Sequence, residues 1–65
     1  MLNLKNWKKV DDNYVNKDNG WLEAYERQDG IQVFFGKGGK VNFFMQSEDL
    51  SITELEEITK YAKEF

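Results

Sequence analysis

WLEAYERQDGIQVFFGKGGKVNFFMQ, residues 21–46, holds three runs of apolar and aromatic residues separated by two stretches suited to chain reversal. Asp29-Gly30 is a typical two-residue type I′ hairpin pair, and the glycines of Gly36-Lys37-Gly38-Gly39 can take the positive backbone angles of a tight turn. The reading is a meander with strands over approximately 21–28, 31–35 and 41–46. Side-chain alternation then sets the faces, because a one-residue slip would turn every apolar residue outward. Ile31, Val33 and Phe35 share one face, and Val41, Phe43 and Met45 join them across an odd-length loop, Lys37 to Gly39. A two-residue turn at Asp29-Gly30 pairs Gln28 with Ile31, Tyr25 with Phe34 and Ala24 with Phe35, which adds Leu22 and Ala24 to the same face.

Downstream, Ser51-Ile52-Thr53-Glu54 matches the capping box, with serine as N-cap and glutamate at the third helical position. Leu50 and Leu55 stand where a hydrophobic staple would close over it. The pattern predicts a helix over 52–65. Its apolar positions Ile52, Leu55, Ile58, Ala62 and Phe65 fall along one side. Glu54, Glu56 and Glu57 near its start and Lys60 and Lys63 near its end suit the helix dipole. The fold class expected is α+β: an antiparallel β-meander of three to five strands with one C-terminal α-helix packed on one sheet face, in a single small domain. In residues 1–20, Trp7 to Val10 and Tyr14-Val15 read as a further hairpin around Asp11-Asp12-Asn13, with Lys17 to Gly20 as the reversal before Trp21. Alternatively, Leu2, Leu4, Trp7 and Tyr14 cap the second sheet face.

That second face is the unusual one. It is expected to carry Trp21, Tyr25, Phe34 and Phe44, interleaved with Glu23, Arg27, Gln32, Asn42 and Gln46, where a solvated sheet face is ordinarily polar. Aromatic residues are over-represented among binding hot spots, so Trp21, Tyr25, Phe34, Phe44 and Arg27 form the first candidate surface. The second is acidic. Glu48, Asp49, Glu54, Glu56 and Glu57 gather around the helix start, where they either complement the dipole or imitate a row of phosphates, as small phage inhibitors of nucleic-acid enzymes do.

Composition narrows the chemistry. The 65 residues include no histidine, cysteine or proline, and nine basic residues against twelve acidic ones give a net charge of −3. Without histidine or thiol, the usual neutral-pH proton carrier and the usual soft nucleophile are missing, and a chain this short has little interior in which to tune a carboxylate or lysine. No catalytic, cofactor or metal residue is assigned, and the chain reads as non-enzymatic. Gly20 and Glu26 have the spacing of a calcium-loop glycine and glutamate, but Val15 and Lys17 occupy ligand positions. Gly36 to Lys40 lacks the Ser or Thr and the following helix of a phosphate-binding loop. No stretch has the length of a membrane span or the apolar core of a signal peptide, which reads as a cytoplasmic protein with no membrane contact.

The expected function is a small protein-binding module, a regulator or a mobile-element inhibitor, docking on a partner protein that includes a copy of itself as homodimer. The alternative is a single-stranded nucleic-acid-binding protein that stacks bases on the aromatic face, with Arg27, Lys37 and Lys40 near the phosphates. In outline, a meander followed by one helix resembles the small dimeric single-strand-binding coactivators, whose motifs are absent. Lys37-Gly38 begins like an RRM signature, but the aromatic positions after it do not line up, and the acidic charge is the reverse of a nucleic-acid footprint.

Overall fold

The computed structural model describes residues 1–44 and 49–65. Met45 and Gln46 of the expected third strand, and Glu48 of the acidic group, lie outside the described residues. Strands β1 (Trp7–Lys9), β2 (Trp21–Arg27), β3 (Gln32–Gly36) and β4 (Lys40–Phe44) form an antiparallel sheet in the order β1-β2-β3-β4, and helix α1 (Ile52–Ala62) follows. The architecture is the expected α+β meander with a C-terminal helix. Tyr14-Val15 is not a second strand of an N-terminal hairpin: Asp12–Tyr14 and Lys17–Asn19 are short 3-10 turns that carry the chain from β1 to β2.

The β2–β3 register differs by one residue from the expectation, and the turn explains it. Arg27 N–H donates to the Ile31 carbonyl at 2.8 Å and Gly30 N–H to the Arg27 carbonyl at 2.9 Å, so the loop has three residues, Gln28 to Gly30. Only Gly30, at φ 93°, has a positive angle there, whereas a type I′ turn needs two. A glycine closing a three-residue loop in the left-handed region is the alternative that Asp-Gly serves equally well. In consequence Tyr25 pairs with Val33, Ala24 with Phe34 and Glu23 with Phe35. Tyr25 and Arg27 therefore belong to the helix-covered face, and Leu22 and Ala24 do not join that face as expected.

A second irregularity restores one expectation. The register shifts between Trp21 and Glu23, so that Trp21 pairs with Gly36. This bulge returns Trp21 to the face of Phe34. The β3–β4 hairpin follows the predicted odd loop, with Phe35 opposite Val41 and Val33 opposite Phe43.

The core lies between the sheet and α1. Tyr25, Ile31, Val33 and Phe35 from the sheet meet Ile58, Tyr61 and Ala62 from the helix. Tyr61 contacts Phe35 and Tyr25 edge-on at centroid distances of 5.0 and 5.9 Å, and Phe65 stacks on Phe35 at 5.7 Å. The helix ends at Ala62, short of the expected 65; its buried positions Ile58, Tyr61 and Ala62 step by three and one, and this places Ile52 about 120° round the helix at 100° per residue. Hence Ile52 and Leu55, expected in the core stripe, are exposed, while Tyr61 takes a central place in it. Leu2, Leu4 and Trp7 also enter this core and so do not cap the second face.

Candidate functional site

Two polar clamps fasten α1 to the sheet, and both draw on residues that the sequence assigned to binding surfaces. At the helix start the capping box is formed: Glu54 N–H donates to Ser51 Oγ at 3.1 Å, and Ser51 N–H to Glu54 Oε1 at 2.9 Å. The same carboxylate accepts Trp7 Nε1–H at 3.0 Å and both Arg27 Nη1 bonds, at 2.9 and 3.0 Å. Arg27 reaches Asp29 with its other edge, Nε to Oδ1 at 2.9 Å and Nη2 to Oδ2 at 2.5 Å, and lies 5.9 Å from the Trp7 ring centroid. Burial pushes the Glu54 carboxyl up, but the Ser51 N–H, Arg27 and Trp7 together outweigh it and hold the group below its ordinary value. The hydrogen bond from Arg27 similarly lowers Asp29.

At the other end of the helix, Tyr61 and Tyr25 both donate to Glu23 Oε1, at 2.5 and 2.8 Å, and Tyr25 Oη accepts the Leu2 N–H at 3.4 Å. Burial raises both phenols, and the negative Glu23 beside them adds to the rise. Among the described residues no buried side-chain polar atom lacks a partner. These groups tie the helix to the sheet at both ends.

The second sheet face is only partly covered. The two 3-10 turns lie beside β2, and Ala24 and Val15 are buried outside the main core. Beyond them Trp21, Phe34 and Phe44 run across β2, β3 and β4 as a row of edge-to-face rings, with centroids 6.3 Å apart at the first pair and 5.3 Å at the second. Trp21 and Phe34 are half-buried, whereas Phe44 is 58 % exposed. A shallow groove beside Phe34 is walled by Tyr14, which is 79 % exposed, and by Val10, with Lys8, Glu26 and Gln32 on its floor and rim. Tyr14 was expected only as a cap for this face, together with Leu2, Leu4 and Trp7. Of those four it alone lines the groove beside Phe34, and it stands in solvent.

Of the sheet-face candidates, the structure brings together Trp21, Phe34 and Phe44. Tyr25 is buried in the core and Arg27 is spent on Glu54 and Asp29. The acidic shoulder is not one surface. Glu54 is turned into the clamp, Glu56 is exposed on one flank, Glu57 is half-buried one residue further round, and Asp49 is exposed before the helix. Among the described residues no group of three or more acidic side chains could hold a metal ion, and no helix is long and apolar enough to cross a membrane. No family model, curated protein or solved structure matches the chain.

Proposed function

We propose that this protein is a non-enzymatic docking module whose protein partner seats on the open half of the second sheet face. The observation that carries the reading is the row Trp21, Phe34, Phe44: three rings on a sheet face, with Phe34 edge-to-face against each of the other two and with Phe44 and the neighbouring Tyr14 largely in solvent. Contiguous exposed apolar patches are uncommon on monomers and mark interaction sites, and Trp and Tyr head the residue types whose truncation weakens protein interfaces. The surrounding charge is mixed, with Lys8 opposite Glu26 across β1 and β2 and Lys9 and Lys17 both near Asp12. Such a rim suits a polar protein surface.

The experiment compares the immobilised wild type with Tyr14→Ser, Phe44→Ser in lysate of the native host. Both positions are exposed, so the fold should survive. A protein retained by wild type and lost by the variant supports the reading; identical retention by both, or none by either, overturns it.

A second reading, single-stranded nucleic acid on the same rings, is favoured by Lys8 and Lys40, which share the face by register. Stacking would quench Trp21 fluorescence, and electrostatic affinity is greatest at low salt. An oligothymidylate that leaves fluorescence and anisotropy unchanged at low salt removes this second reading.

A further inference from the structure

The helix flank turned away from the Arg27 clamp is apolar and has no cover among the described residues. Ile52 is 74 % exposed and Leu55 42 %, and they line one shallow groove with Thr59 and Lys63. Thr59 and Lys63 also border the neighbouring depression that holds Val41 and Gly39. The flank therefore runs onto the core side of β4, where Val41 is 37 % exposed. β4 is the last strand of the sheet, and a last strand offers its outward N–H and C=O groups to any strand laid beside it. Helix flank and strand edge form one margin, apolar in the middle and able to hydrogen-bond along its side.

A charge pattern identifies what covers it. The charges of the margin run from acid to base along the helix, with Glu56 in the first half and Lys60 and Lys63 in the second, all on the same groove. A two-fold axis normal to the sheet turns a second helix end for end, which sets Glu56 of each copy toward Lys60 and Lys63 of the other. Such a surface is complementary to itself.

We propose that a second copy of this chain seats on the margin, with β4 beside β4 in antiparallel sense. The sheet then continues through the axis, and both helices lie on one side of it with their Ile52 and Leu55 rows facing. The aromatic rows of the two copies lie on the opposite side of the continued sheet from the helices.

Sedimentation velocity over the micromolar to millimolar range tests the proposal, and a concentration-dependent shift from monomer to dimer is expected. Ile52→Lys with Leu55→Lys should weaken the dimer about a hundredfold, with an unchanged circular dichroism spectrum because both side chains are exposed. Charge exchange supplies the second measurement. Glu56→Lys alone and Lys60→Glu with Lys63→Glu alone should each dimerise more weakly, while an equimolar mixture of the two should recover the wild-type association. A chain monomeric throughout the range, a mixture that does not recover, or a dimer lost on Phe44→Ser and untouched by Ile52→Lys, Leu55→Lys overturns the proposal.

Discussion

Gly36 is bare because Trp21 needs the space. A Cβ at position 36 would lie 2.9 Å from Trp21 Cε3, closer than carbon atoms tolerate, and tight against the Gly20 carbonyl oxygen at 3.1 Å. Gly36→Ala must displace the indole ring from the aromatic row. A loss of about 1–3 kcal/mol is expected, as for other overpacked sites, together with a shift of the Trp21 indole N–H resonance and no movement of the Trp7 one. At this scale the sequence was partly legible. Phe34 and Phe44 stand where alternation puts them, and Trp21 does so only because a bulge undoes the register change that moved Tyr25. Tyr25 itself could not be placed from pattern alone, since a tyrosine suits either a core with a polar partner for its hydroxyl or an exposed binding face. Glu23, which accepts from both Tyr25 and Tyr61, is that partner, and it lies far from Tyr61 in sequence.

Among the elements, the helix start was the most legible and the helix face the least. The capping box depends on residues three apart and is decided locally, and the structure has it at Ser51 and Glu54. Ser51→Ala should cost about 0.5–2 kcal/mol through loss of the bond from Glu54 N–H; denaturant unfolding measures it as a lower midpoint with an unchanged slope. Which face turns inward depends on partners that lie elsewhere. Ile52 and Leu55 lose their places to Tyr61 because Glu54 is drawn to Arg27 and Trp7 at one end and Tyr61 to Glu23 at the other. The β2–β3 turn shows a different limit: Asp-Gly closes two-residue and three-residue loops alike, and the choice between them inverts a whole strand. Gly30→Ala tests the observed loop. At φ 93° an alanine is strained, and a loss of about 1–2 kcal/mol is expected; a neutral result would show that the hairpin closes by another turn.

For the molecule as a whole, the two clamps give stability an acid limb and an alkaline limb. Glu54 is held below its ordinary 4.5 in the fold, so its contribution is present above that value and is lost as pH falls through the lower folded one. Tyr25 and Tyr61 are raised above 10.0, so their contribution is complete below pH 10 and declines as pH rises beyond it. Chemical denaturation followed across pH should show Glu54→Gln flattening only the acid limb and Tyr61→Phe only the alkaline one. A variant that flattens both limbs would contradict the separation of the two ties. The overall architecture was the best-read level, since four strands in sequential order and a final helix leave few ways to bury the apolar rows.

The ties sit at opposite ends of a helix of 11 residues, and they differ in what undoes them. Protonating Glu54 weakens the bonds it accepts from Ser51, Trp7 and Arg27, so acid should loosen the first turn before the last. Amide hydrogen exchange followed as pH falls should therefore open α1 from its Ser51 end. The segment would then behave as a flap that lifts at its first turn.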